Sequence, residues 1–149
     1  MLYLRNTGGT EIIYLNLLDS IGINDLENTQ NWSWLMNFTN EFTKESFTVI
    51  QIYNQSAFGY PNNSNTVRMP LKVLSTGTAN GLLQEIKLKD KGFYSYEIYY
   101  QNSTDNLDIN NYRVVKLVQT GKALIYDSTS EVEFKEQKDG NPNNFIYVP

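Results

Sequence analysis

The sequence predicts an all-β fold, an antiparallel β-sandwich of short strands, and three observations carry that prediction. Apolar and polar residues alternate with period two in one segment after another. Clusters of Gly, Asn, Asp, Ser and Pro separate those segments at short intervals. No amphipathic stretch of helical period outlasts its Asn, Gly and β-branched residues. The chain has 149 residues, enough for one domain with a real core. Neither a linker nor a sequence repeat divides it, so residues 1–149 read as one domain.

LYLR (2–5) is a short first strand, closed by the turn NTGGT. EIIYLNLL (11–18) combines β-branched and aromatic residues in a second strand. DSIGINDLENTQ (19–30) is polar and loop-like, with a brief helical turn near Asp25. NWSWLMNF (31–38) alternates cleanly, with Trp32, Trp34, Met36 and Phe38 on one face and Asn31, Ser33 and Asn37 on the other. TNEFTKE then turns into SFTVIQIYN (46–54), which predicts a hairpin. QSAFGYPNNSN (55–65) is a long loop of Gly, Pro and Asn.

TVRMPLKVL (66–74) sets Val67, Met69, Leu71 and Val73 against Arg68, Pro70 and Lys72. Pro70 has no N–H for a ladder, so this strand belongs at an edge or carries a bulge. STGTANG is a turn, LLQEIKLK (82–89) a strand, and DKGFYSYEIYY (90–100) the next. NSTDNLDINN (102–111) is a polar loop. YRVVKLVQ (112–119) and GKALIYD (121–127) form one long strand bulged at Gly121, or two strands. EVEFKE (131–136), the turn QKDGNPNN and FIYV (145–148) complete roughly nine or ten strands. Residues 121–149 either finish the sandwich or form a C-terminal extension that packs on it or on a neighbour.

Composition narrows the function. The formal net charge is −4, and no basic block of the kind that tracks phosphates occurs, which argues against nucleic-acid binding. No apolar run approaches the roughly 18–20 residues of a membrane-spanning helix. MLYLRNTGGTEIIYL lacks the features of a signal peptide, so synthesis in the cytoplasm without signal-directed export is expected. There is no cysteine, hence no disulfide or thiolate metal site. There is no histidine either, which removes the commonest general base and transition-metal ligand. The inventory is poor for catalysis, and no catalytic residue, cofactor-binding residue or metal ligand is predicted. Abundant Asn, Ser, Thr and Tyr suit contact with proteins or sugars.

The most informative stretch is DKGFYSYEIYY (90–100). Tyr94, Tyr96, Ile98 and Tyr100 share one face of a strand, and Phe93, Ser95, Glu97 and Tyr99 the other. Asp90, Gly92 and Tyr94 match the corner of an immunoglobulin-like sandwich, where a tyrosine hydroxyl bonds back to the backbone just upstream. Tyr96 then stands at the inward core position, and the tryptophans of residues 31–38 suit the mid-chain core strand. The competing reading is an exposed tyrosine platform. After the corner is assigned, only Phe93 and Tyr99 remain for recognition on this strand.

Other motifs carry less. Phe58 and Tyr60 are the candidates for glycan contact or for insertion into a partner, since aromatics in a loop stay accessible. Five Asn-x-Ser/Thr sequons, at Asn31, Asn37, Asn54, Asn62 and Asn102, are what so Asn-rich a chain produces by chance. Asp105, Asp108 and Asn110 lack the glycine and terminal glutamate of a calcium loop, so a solvated loop is expected.

The order WSWLMNF, SFTVIQIYNQS, NTVRMPLKV, LLQEIKLKDKGFYSYEIYYQNS, LDINNYRVVKLVQTGKALIYD and NNFIYV resembles small β-sandwich virion proteins of tailed bacteriophages. The likeness is to the crAss-like group and related phages of Bacteroidetes. Arg68, Gly92, Tyr94, Tyr96, Ile98, Tyr99, Gly121 and the closing Ile146–Tyr147 carry it. The short first strand and the 55–65 loop stand outside the pattern. The resemblance implies an immunoglobulin-like auxiliary capsid (head decoration) protein at the capsid surface, or a related tail, neck or baseplate adaptor. The implied partners are the major capsid protein and neighbouring virion proteins, and no catalysis is implied. The N-terminal MLYLRN or the C-terminal strands would then lend an edge strand to a neighbour.

Overall fold

The computed structural model describes residues 1–17, 32–52 and 66–127. Among these lie eight strands: β1 Leu2–Arg5, β2 Thr10–Asn16, β3 Ser33–Asn40, β4 Ser46–Ile52, β5 Thr66–Val73, β6 Glu85–Ile86, β7 Gly92–Gln101 and β8 Val114–Tyr126. They form a five-stranded sheet of order β1-β8-β7-β3-β4 and a three-stranded sheet of order β2-β5-β6. The β1–β8 and β5–β6 pairs are parallel and the others antiparallel. The all-β prediction holds, with two sheets.

Period-two alternation builds one core between the sheets. The five-stranded sheet contributes Leu4, Trp34, Met36, Phe38, Val49, Tyr94, Tyr96, Ile98, Tyr100, Ala123 and Ile125. The smaller sheet answers with Ile13, Leu15, Val67, Met69, Leu71, Val73 and Ile86. Trp32 and Trp34 meet edge to face at 5.2 Å, and Tyr100 tilts against Trp32 at 5.3 Å. Such aromatic contacts add to the burial of large apolar area.

The corner expected at the start of β7 is present. Gly92 has φ +119°, a conformation that favours glycine. The buried Tyr94 donates its hydroxyl to the Asp90 carbonyl at 2.8 Å. Tyr96, Ile98 and Tyr100 follow it inward, as the alternation requires.

The predicted β3–β4 hairpin also forms. Asn40 Oδ1 accepts from the Phe42 and Thr43 amides at 2.8 and 2.9 Å, so the asparagine side chain closes the turn. Lys44, at φ 63°, completes the reversal.

Three segments depart from the sequence expectations or refine them. LLQEIKLK was expected to be a strand over 82–89. Instead, Gly81–Leu83 make a 3-10 turn, and only Glu85–Ile86 pair as β6. The Asn80 side chain accepts from the Leu82 amide, and Gln84 adopts a left-handed conformation that interrupts extension. Pro70 falls in the middle strand of its sheet, yet β6 pairs only with Lys72 and Val73. Among the described residues that side of β5 is therefore an edge at Pro70, whose carbonyl accepts from Gln51 Nε2 of the other sheet at 2.5 Å.

Residues 112–127 give one long strand, β8, with register shifts between Ile98 and Tyr99 and between Tyr100 and Gln101 of β7. The extra residues are Val118 and Val115, so the bulges do not fall at Gly121. Gly121 pairs with Tyr96, and a Cβ there would lie 2.5 Å from the tyrosine hydroxyl. Glycine leaves the space that the ring occupies, and the sheet runs through this position without a break. The expected helical turn near Asp25, the 55–65 loop and the strands at 131–136 and 145–148 lie outside the described residues.

On the face of β3 turned away from the core, where the alternation sets Ser33 and Asn37, the side chains of Ser33, Leu35 and Asn37 are buried. A polar network closes one end of this face. Ser33 Oγ donates to the Ser103 carbonyl at 2.6 Å, and Gln101 Nε2 donates to Ser33 Oγ and to the Asn106 carbonyl, each at 3.0 Å. Asn106 Nδ2 donates back to Gln101 Oε1 at 2.7 Å. The Gln101 and Asn106 amides thus partner each other, and the 102–111 loop is fastened to the sheet.

Candidate functional site

Cross-strand register arranges the outward face of the five-stranded sheet in rows. Tyr3 of β1 lies opposite Leu124 of β8, which lies opposite Phe93 of β7. Tyr3 is 61% exposed and Phe93 51%. The next strand contributes the hairpin turn, because the Glu41 amide donates to the Phe93 carbonyl at 3.0 Å. At the tip of that turn Phe42 is 94% exposed. A depression of about 270 Å³ lies here, lined by Asn40, Glu41, Phe42, Lys91, Gly92 and Phe93. Three aromatics thus crowd one end of one sheet.

Both supports of this end are tied by side-chain hydrogen bonds. The Tyr94–Asp90 bond fixes the chain as it enters β7, and the Asn40 side chain fixes the turn carrying Phe42. Lys91 pairs with Asp127, and Lys122 with Glu41 at 2.7 Å, so ion pairs ring the aromatic patch. Exposed ion pairs of this kind contribute little stability and leave charge at the rim of the patch. Large, stiff aromatics lose little conformational entropy on docking, and an apolar centre with a polar rim is the anatomy of a protein interface.

The middle of the same face is polar. Glu97 Oε2 accepts from Asn37 Nδ2 at 3.1 Å and from the Tyr99 hydroxyl at 3.0 Å. Burial, and then the bond to Glu97, holds the Tyr99 phenol above its ordinary 10.0. Tyr99 lies opposite Leu117, which is exposed, and Tyr112 stands out in solvent just before β8.

A second concavity, about 550 Å³, runs between the β4 and β6 edges, with Phe47, Thr48, Gly81, Glu85, Lys87 and Lys89 among its lining residues. Its charges are mutually engaged. Lys89 reaches Glu45 at 3.0 Å, and Glu85 takes Lys72 at 2.8 Å. The Lys72 hydrogen bond, then the Asn80 amide, holds the Glu85 carboxyl below its usual range. Lys87 donates to the Gly77 carbonyl at 2.9 Å. With its cations spoken for, this groove offers less to an anionic ligand than its lining suggests.

Of the residues singled out from sequence, Phe93 is on the exposed face as expected. Tyr99 is on that face too, but half-buried and tied to Glu97. Phe58, Tyr60, Asn31, Asn54 and Asn62 lie outside the described residues. Asn37 is buried and bonded to Glu97, which makes its sequon inaccessible in the folded chain. Asp105 accepts from Ser103 Oγ and faces Arg113, while Asp108 caps the Asn110 amide. These side chains hold the loop, and among the described residues no three potential metal ligands cluster.

Sequence reasoning missed Tyr3 and Phe42. Phe42 had a signal, an aromatic in an otherwise polar turn behind an asparagine that can close it. Tyr3 had none, because its neighbours are set by a parallel pairing with the far end of the chain. The chain matches no protein-family model, and comparison with curated proteins and with solved structures gave no match.

Proposed function

We propose that this chain is a non-enzymatic structural protein, an immunoglobulin-like sandwich that docks on the outside of a bacteriophage capsid as an auxiliary protein. The observation that carries the docking is the exposed aromatic end formed by Tyr3, Phe42 and Phe93. Support for the immunoglobulin-like reading comes from the strand order. The first strand runs parallel to the last described strand, β7 enters through a tyrosine corner, and a central tryptophan strand lies beside it. The resemblance of the sequence to phage virion proteins supports the virion surface as the location, and the major capsid protein and its neighbours as the partners.

In this role the aromatic patch would bury against a capsomer, with the Lys91–Asp127 and Lys122–Glu41 pairs at the rim. Each contact is modest. Repeated over a lattice, such contacts act together and resist internal pressure. The test is the number of copies per particle, by quantitative mass spectrometry of purified virions of the encoding phage. Capsid decoration requires on the order of hundreds of copies, whereas roughly six or twelve would indicate a tail or neck ring. Absence from the particle would refute both. Replacing Phe42 and Phe93 together by serine should deplete the chain from particles without unfolding it.

A further inference from the structure

We infer that the open edge of β2 is a self-association site, at which two copies of this chain pair antiparallel and join their three-stranded sheets into one. Exposed sheet edges are a hazard that proteins usually blunt by shortness, lysine, proline, bulges or a covering loop. The two sheets of the described residues have four edges, and three of them are blunted. β1 has four residues and β6 two. The β4 edge is met by the 3-10 turn, where a Cβ on Gly81 would lie 2.7 Å from the Thr48 carbonyl.

Among the described residues β2 has none of these protections. It runs seven residues, TEIIYLN, in unbroken register with β5, and contains no lysine, proline or bulge. Among the described residues no strand pairs with its other edge.

Hydrogen-bond parity shows which groups that edge offers. The Val73 amide donates to the Gly9 carbonyl at 3.0 Å, one step beyond the Thr10–Lys72 pair. Antiparallel ladders alternate, so Glu11, Ile13 and Leu15 turn their N–H and C=O groups towards β5. Those of Ile12 and Tyr14 therefore point out from the edge.

The side chains favour a second copy as occupant. Ile12 and Tyr14, on the outward face, are 42% and 63% exposed. With Thr10 and Asn16 they read polar, apolar, apolar, polar in either direction. A two-fold axis at Ile13 sets Ile12 against Tyr14 of the second copy, and Tyr14 against its Ile12. Apolar meets apolar, polar meets polar, and four main-chain hydrogen bonds form from these two residues of each copy. A single strand pair buries less than the roughly 1,600 Å² of a standard interface, so the dimer should be weak, with a Kd on the order of tens of micromolar.

Sedimentation velocity over a concentration series tests this, with Ile12→Pro as the decisive variant. The Ile12 N–H faces outward, so proline there removes an intermolecular donor and no bond to β5. The wild type should convert from monomer to dimer with rising concentration, and the variant should weaken that by at least ten-fold. Tyr14→Lys, at an exposed position, should do the same if the proline variant fails to fold. A wild type that stays monomeric to about 1 mM, above the range expected for a weak pair, would overturn the inference. So would a dimer unaltered in both variants. Ile12 and Tyr14 amides protected from exchange equally at every concentration would overturn it too, and would assign the edge to a segment of the same chain.

Discussion

The two faces of β7 differ in what they do with the same residue type. Inward, Tyr94, Tyr96 and Tyr100 are buried among both sheets, and the first two place their hydroxyls on defined partners, Asp90 and Gln119. Outward, Phe93 lies in solvent beside Leu124, and Tyr99 leans on Glu97. A buried tyrosine needs a partner for its hydroxyl as well as space for its ring. An outward aromatic needs neither, so its presence there is not explained by folding.

Substitutions on the two faces should separate these roles. The largest effect is expected from Tyr94→Thr, which removes a fully buried ring and the corner bond. A loss of about 3–5 kcal/mol in denaturant unfolding is the expected size for deleting a core aromatic. Gly121→Ala comes next, at about 1–3 kcal/mol, because the new methyl must displace the Tyr96 ring and disturb its bond from Gln119. A stability change near zero there would mean that the ring has room to move.

The smallest effect is a pH dependence on the outward face. The folded pKa of Tyr99 is raised, so its contribution is complete below the unfolded value near 10.0 and is lost as pH rises through the folded value. Tyr99→Phe should therefore cost a small amount of stability at neutral pH, where the bond to Glu97 is intact, and flatten the decline in alkaline solution. An alkaline decline identical in the two proteins would show that Tyr99 titrates alike folded and unfolded.

The inward face was legible in the sequence because its determinants are local. Asp90, Gly92 and Tyr94 lie within five residues, and period two follows from strand geometry alone. The hairpin at 41–45 was legible for the same reason. LLQEIKLK misled because Leu, Ile and Lys alternate passably, while one asparagine side chain at position 80 and one left-handed residue at 84 decide the backbone. The buried outer side of β3 was not legible either. Ser33 and Asn37 look like solvent-facing residues until Gln101, Ser103 and Glu97 arrive from elsewhere in the chain.

The candidate site was only half visible for a related reason. Phe93 follows from alternation, but Tyr3 joins it through a parallel pairing of β1 with β8 across more than a hundred residues. Long-range parallel register leaves no mark in a local window.

The most direct test places threonine at two neighbouring positions and compares their unfolding free energies in urea. Threonine keeps β propensity, so the comparison reads side-chain environment and not backbone preference. Against the large loss expected for Tyr94→Thr, Phe93→Thr should change stability by no more than about 0.5 kcal/mol. A Phe93→Thr loss as large as that of Tyr94→Thr would place Phe93 in the folding core and remove the outward aromatic end as a surface free to dock.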